Sequence, residues 1–215
     1  MIYIFISVLF CYLIGSIPTA VWTSKAFYGI DVRTKGSGNA GATNTFRVLG
    51  KGAGLFVLIF DIFKGWMGTY LATILLNQGL INPENELIFK MILGFATVSG
   101  HIYPVFANFK GGKGVATLLG MVICVSPYAA LICITVFLFL FLSLHYVSVG
   151  SMVAALVFAI LVIFGYCGTA DLATKGMAIF LASMVVYTHR SNIEKLKAGT
   201  ENKMYFKKKN QTPAI

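Results

Sequence analysis

Apolar runs of about the length needed to cross a bilayer, roughly 20 residues, recur through this chain, and nothing else constrains its fold more. They fall near residues 2–24, 53–76, 87–107, 115–125, 128–144, 147–166 and 172–189. Only 11% of the 215 residues are charged, whereas soluble domains carry about 25%, so a soluble globular fold is excluded. Backbone N–H and C=O groups in hydrocarbon must be satisfied within the chain, which isolated strands cannot do, so each run is read as a helix. The expectation is an all-α polytopic membrane protein forming a single domain over residues 1–215, with no internal repeat.

The first run, "MIYIFISVLFCYLIGSIPTAVW", has no basic residue before Lys25 and exceeds a typical signal-peptide core, so it reads as a retained span. Residues 115–125 are too few for a regular crossing and are bounded by Gly114 and by Ser126-Pro127. Proline there either turns the chain or kinks one helix, and charge decides. Positive residues favour the cytoplasmic side. Fourteen of the 17 Lys and Arg sit in 25–51, 108–114 and the tail from Arg190 onward. They share one side only if an even number of crossings separates these segments. Between 114 and 190 that requires four crossings and a real reversal at Pro127. Seven helices are therefore expected, with the N-terminus outside and the C-terminus cytoplasmic. The alternative is five spans, with 115–125 and its neighbour dipping in and out.

The final "FKKKNQTPAI" reads as a solvated tail weakly attracted to anionic headgroups. The net charge of +10 is thus assigned to the lipid bilayer, and no nucleic-acid partner is expected. Cys11, Cys124, Cys133 and Cys167 lie scattered in apolar runs without ligand spacing. They read as small buried hydrophobes, with no metal site.

Three polar segments collect on the cytoplasmic face: "GSGNAGATNTFR" (36–47), "FKGGKGVAT" (109–117) and "HRSNIEKLKAGTEN" (189–202). The first contains G-x-G-x-x-G at Gly36, Gly38 and Gly41, but no strand precedes it, so a dinucleotide fold is excluded. What survives is local: exposed amides form an anion-sized nest. Ser37, Asn39, Thr43 and Asn44 add neutral polar groups, and Arg47 a planar cationic fork. The second segment departs from a Walker loop at Ala107 and Gly114, yet Gly111, Gly112, Lys113 and Gly114 lead into an apolar helix whose free amides favour an anion. The third places His189, Arg190 and Asn192 just past the last span. Each segment alone is equally a connecting loop or a topology signal; three converging on one face favour a phosphate site. Asp61 and Lys64, i and i+3 in the second span, are expected to pair or face the interior in a structural role.

The blocks "GSGNAGATNTFRVLG", "GHIYPVFANFKGGKGVAT" and "HRSNIEKLKAGTE" together resemble the signatures of the bacterial acyl-phosphate:glycerol-3-phosphate acyltransferases, the PlsY family. Order and spacing agree over essentially the whole chain. The resemblance implies a seven-helix enzyme of the bacterial plasma membrane, its active site cytoplasmic. It would make lysophosphatidic acid and inorganic phosphate from acyl phosphate and glycerol 3-phosphate, without metal or nucleotide cofactor. By position, Ser37 and Arg47 match the essential pair of the first block, and Lys113 with Gly111, Gly112 and Gly114 the phosphate-holding second block. His189, Asn192 and Glu201 match the functional positions of the third.

The chemistry agrees. An acyl phosphate is already activated, so an enzyme mainly orients the hydroxyl and stabilises charge on the carbonyl oxygen and departing phosphate. Arg47 and Lys113 suit phosphate charge; Ser37, Asn192 and loop amides suit the hydroxyl or oxyanion; Glu201 suits fixing a basic residue. Either His189 or a substrate phosphate takes the proton, and a Ser37 acyl-enzyme ranks below both. Two other functions compete. A CoA-dependent acyltransferase would carry H-x-x-x-x-D, and only His189–Glu194 approaches it. A phosphate transporter would place charges near the midplane and show repeats, whereas here no repeat appears and, of the Asp, Glu, Lys and Arg residues, only Asp61 and Lys64 stand near the middle of a span.

Overall fold

The structure, a computed structural model, describes residues 2–168 and 170–205; the tail expected for 206–215 lies outside the described residues. All seven apolar runs are helical, and the first is two helices, α1 (Ile2–Gly15) and α2 (Thr19–Tyr28). Pro18 lacks an N–H and stands at the break. The freed carbonyl of Ile17 accepts a bond from the Lys64 ammonium at 2.9 Å, so the interruption is satisfied inside the protein, as lipid requires. A polar loop then leads to α3 (Ala42–Leu49), joined through Gly50 (φ 90°) to α4 (Lys51–Asn77).

The remaining helices are α5 (Glu86–Ile102), α6 (Val115–Val125), α7 (Pro127–Leu144), α8 (Val147–Ile163), α9 (Leu172–Thr188) and α10 (Arg190–Lys197). Ser126 is extended and caps α7 by accepting a bond from Ala129 N at 3.2 Å, with Pro127 in the first turn where its missing donor costs nothing. Among the described residues, four apolar helical stretches are long enough to cross a membrane: Ile2–Tyr28, Lys51–Asn77, Pro83–Ala107 and Pro127–Leu144. Those at Val115–Val125, Val147–Ile163 and Leu172–Thr188 are shorter.

Long-range hydrogen bonds show which helix ends share a face. Lys113, just before α6, bonds Asn192, just past α9. The Met204 amide donates to the His145 carbonyl just past α7, at 2.9 Å. Ser148, at the start of α8, donates to Glu201 at 3.0 Å. The start of α6 and the end of α7 therefore lie together, and the chain reverses at Ser126.

Packing is tightest where glycine removes the side chain between helices. A Cβ on Gly65 of α4 would land on the Thr117 carbonyl of α6, and one on Gly120 of α6 on the Ile62 carbonyl of α4. Gly15 and Gly100 do the same for α1 against α5. Close backbone approach of this kind substitutes for hydrophobic drive between helices in lipid. A larger core joins α5 through α9, with Met91, Val98, Met121, Phe158 and Leu181 buried. The outer face of α7 leaves Leu131, Phe139 and Leu142 exposed, as a lipid-facing surface would.

Asp61 and Lys64 pair at 2.7 Å and are each 1% exposed. Thr19 Oγ1 donates to Asp61 Oδ1 at 3.1 Å, and His101 Nδ1 lies 3.5 Å from the same oxygen. The pair thus joins α2, α4 and the end of α5. Removing one partner leaves a buried charge uncompensated, which costs about 3–5 kcal/mol, while replacing both with apolar groups is often neutral. Asp61→Asn is expected to lower the unfolding midpoint in detergent sharply, and Asp61→Asn with Lys64→Met to recover most of the loss. Equal midpoints for wild type and the single variant would remove this joint from the account.

Candidate active site

The first polar segment is shaped by Asn44. Its Nδ2 donates to the carbonyls of Val32 (2.9 Å) and Lys35 (3.1 Å), and its Oδ1 accepts the Ser37 amide at 2.8 Å. Asn44 is 1% exposed, so its amide serves the shape of the loop. Gly36 and Gly38 take positive φ (61° and 75°), and a Cβ on Gly36 would fall on the Asn44 side-chain oxygen. Ser37 and Arg47 are exposed, while Asn39 and Thr43 are half-buried. Gly41, extended, precedes α3 and accepts the Thr45 hydroxyl at 3.1 Å.

In the second segment the glycines act through close approach. The Gly111 amide donates to the Ile102 carbonyl and the Gly112 amide to the His101 carbonyl, each at 3.2 Å. A Cβ on Gly111 would meet the His101 carbonyl; one on Gly112 would meet the His101 imidazole and approach the Ala40 carbonyl at 3.0 Å. These two amides therefore hold the turn, whereas the sequence pointed to an anion there. Gly114 (φ 82°) caps α6, whose first backbone bond runs from Leu118 N to Gly114 O. The N–H groups of 115–117 stand at the open first turn, where the helix dipole favours negative charge.

The third segment closes on the second. The Lys113 ammonium bonds Asn192 Oδ1, and Asn192 Nδ2 in turn donates to Glu201 Oε1, which also accepts the Ser148 hydroxyl. The Thr188 hydroxyl donates to the Lys113 carbonyl at 3.4 Å. Burial lowers the Lys113 ammonium to about 8; the Glu201 carboxylate opposes the drop, and Lys195 and Arg47 add to it. Arg47 is thus close enough to act on Lys113 through space, which links the first segment to the other two. His189 is 2% exposed. Its Nδ1 lies 2.8 Å from the Val185 carbonyl. A carbonyl only accepts, so Nδ1 carries the proton and Nε2 keeps the lone pair. Burial and the Lys113 charge lower this imidazole to about 4, against weaker opposition from Val185 and Glu201. It is neutral at pH 7.

Arg33, which the sequence marked only as a topology charge, ties the first two segments together. Its Nη1 donates to the carbonyls of Ala107 (3.0 Å) and Lys110 (3.3 Å). Asp31 holds the guanidinium from behind, through Nε at 3.0 Å and Nη2 at 2.7 Å. Those bonds to Arg33 hold the Asp31 carboxyl well below its ordinary range. Between the two carbonyls, Asn108 and Phe109 both have positive φ (54° and 57°), a conformation costing about 1–2 kcal/mol per residue without glycine. The spacing Asp31-x-Arg33 is the one signal in the sequence that could have pointed to this clamp. Ser148 offered no such signal, being one hydroxyl in an apolar run.

Three comparisons bear on this arrangement. The family profile described as glycerol-3-phosphate acyltransferase matches residues 5–199. A glycerol-3-phosphate acyltransferase of Chlorobaculum tepidum is 41% identical, over 93% of this chain and 95% of the relative. Glycerol-3-phosphate acyltransferase 3 of Bacillus anthracis is 46% identical, over 92% and 93% respectively. Among solved structures, the glycerol 3-phosphate form of PlsY, described as an integral membrane glycerol 3-phosphate acyltransferase, superposes with a TM-score of 0.80 at 38% identity, covering 94% of this chain and 96% of that one. Its lysophosphatidic acid form gives 0.79 at 39% identity, with the same coverage.

Arg33→Ala removes two charge-assisted bonds from the strained 107–110 turn. Such bonds contribute about 1.5 kcal/mol or more each, so amides there are expected to exchange hydrogen roughly tenfold faster or more. Exchange by mass spectrometry is the measurement; wild-type rates over 103–112 would show the clamp to be idle.

Proposed function

The chain belongs to the glycerol-3-phosphate acyltransferase family, and we infer from that premise how its residues perform the reaction. It transfers a fatty acyl group from acyl phosphate to the 1-hydroxyl of glycerol 3-phosphate, giving lysophosphatidic acid and inorganic phosphate. The observation that carries the site assignment is the Lys113–Asn192–Glu201–Ser148 chain of bonds, which gathers separate polar segments at one end of the bundle.

In this reading Lys113, Arg47 and the first-turn amides of α6 neutralise phosphate charge. The hydroxyl oxygen of glycerol 3-phosphate attacks the acyl carbonyl carbon, the carbon–oxygen bond to phosphate breaks, and phosphate departs carrying the bonding pair. Ser37 and Asn192 orient the hydroxyl and stabilise the oxyanion; no acyl-enzyme is needed, because the donor is already activated. The hydroxyl proton passes to His189 Nε2 or to a substrate phosphate oxygen. Glycines 36, 38, 111, 112 and 114 keep the loops close enough to make the pocket.

The orientation belongs to the same proposal: seven crossings in the bacterial plasma membrane, N-terminus outside, site and C-terminus cytoplasmic. The clustering of Lys and Arg in the site-bearing segments supports it. So does the reversal at Ser126, which brings four helix ends to one face. Reagents that cannot cross the membrane should label cysteines introduced at 37 or 202 only in inverted vesicles; labelling of intact cells would refute the sidedness.

Purified protein supplied in parallel with acyl phosphate and acyl-CoA is expected to turn over only the former, and activity with CoA donors alone would overturn the donor. Lys113→Ala and Arg47→Ala are expected to lower kcat/KM by about 100-fold or more, as for loss of a charge-stabilising donor, while the protein stays folded.

The pH profile of kcat/KM reports the free reactants. Lys113 loses its charge as pH rises through about 8, so an alkaline limb is expected there. A base must be unprotonated, so activity falls with acid near pH 4 if His189 is the acceptor. If a substrate phosphate is the acceptor, the fall lies near its second ionisation, at about 6. An alkaline limb absent near 8 would count against the role of Lys113.

A further inference from the structure

Beyond the three signature blocks, residues 203–205 make a set of contacts that the reaction as described does not use. The chain leaves α10 through Gly199 (φ 68°) and runs without helix across the turn between α7 and α8. There the Met204 amide bonds the His145 carbonyl at 2.9 Å. The Tyr205 ring lies 4.6 Å from the His145 ring, centroid to centroid, and the Lys203 ammonium stands 5.4 Å above the Tyr146 ring. His145 itself is held in a left-handed conformation (φ 62°) as the cap of α7, its amide donating to Phe141 at 2.7 Å. One residue beyond Val147, Ser148 is 4% exposed and takes the Glu201 carboxylate. Three consecutive residues of the segment thus anchor on His145 and Tyr146, just past the carboxylate they carry.

The consequence lies in Asn192. Its amide could present either end to Lys113, and only the oxygen suits an ammonium. Glu201 accepts from Nδ2, which turns Oδ1 toward Lys113. A carboxylate on a free chain end would do this poorly, because ordering each backbone residue costs about 1–2 kcal/mol. Anchoring the segment removes that cost beforehand.

We propose that residues 203–205 form a strap whose docking on the α7–α8 turn holds Glu201 in place, and that His145 and Tyr205 are thereby positioning residues for the Lys113–Asn192 pair. This rests on the reading that Lys113 and Asn192 hold a substrate phosphate. Neither His145 nor Tyr205 touches the reacting atoms. Their effect passes through Glu201, the anion that faces Lys113, whose other charged neighbours are Lys195 and Arg47 beside the neutral His189. Displacing Glu201 removes the group that sustains the Lys113 charge, so the Lys113 ammonium loses its proton at lower pH.

The test is kinetic, on the full chain in detergent, varying glycerol 3-phosphate at saturating acyl phosphate across pH. Tyr205→Ala and His145→Ala are expected to raise the KM for glycerol 3-phosphate several-fold with a smaller change in kcat. Both should move the alkaline limb of kcat/KM to lower pH by about half a unit or more. Y205F keeps the ring and should rescue both readouts. The double variant should be little worse than either single one, since both cut the same contact. An unmoved limb and KM in Tyr205→Ala overturns the strap, as does a loss of activity that follows a lowered unfolding midpoint without any pH shift. If one variant fails to fold, the other reports on the same contact from the opposite side. Wild-type activity with acyl phosphate that ignores Lys113→Ala would sink the phosphate-site reading, and the strap with it. Activity that needs Lys113 but ignores both strap variants sinks the strap alone.

Discussion

The Asp61–Lys64 pair is the joint from which the rest of the architecture hangs. In a hydrocarbon surrounding, an unpaired charge is among the most costly groups a helix can carry, so these two must find each other and their remaining partners within the bundle. They do so by reaching out of α4 in two directions: Lys64 to the carbonyl freed at the α1–α2 break, and Asp61 to Thr19 and His101. The break in the first apolar run, the placement of α2 and the end of α5 are all referred to one point. His101 then carries that reference outward, because its own carbonyl and ring form the surface on which Gly111 and Gly112 turn.

The polar segments are built outward from this joint by a common device. Glycine is used where a Cβ would collide with a carbonyl or an amide, and a single polar side chain locks each turn. Asn44 locks the first loop, and Arg33 locks the second across a strained pair of non-glycine residues. The amides most engaged in holding the turns are those of Gly111 and Gly112, which leaves the α6 terminus, Lys113 and Arg47 to face negative charge. The proposed phosphate pocket, made in this way, is stiff before a substrate arrives. Stiffness matters here, because an activated donor needs orientation and charge stabilisation more than it needs a strong nucleophile.

Electrostatics at the site is a contest between burial and a few charges. Burial lowers both Lys113 and His189, and the Lys113 ammonium helps keep the imidazole neutral. Glu201 stands against both shifts, being the carboxylate that favours the charged form of Lys113. Its placement through Ser148 and Asn192 links the tail of the chain to the charge at the head of α6.

The sequence alone determined the membrane class, the helical nature of all seven apolar runs, and the polar segments from which the proposed site is drawn. Those properties follow from composition and period, which are local, and from the distribution of Lys and Arg, which is additive along the chain. It also pointed to a pairing of Asp61 with Lys64, since i and i+3 share a helix face. What it could not determine was which polar atoms meet. That Asn44 serves its own loop, that Arg33 clamps two segments, that His101 underlies the glycine turn and that Ser148 holds Glu201 are decided by distances between residues far apart in the chain. A serine in an apolar run and a topology arginine look alike in any order of letters. Only the packed bundle, with small residues letting α4 and α6 touch, brings their partners within reach.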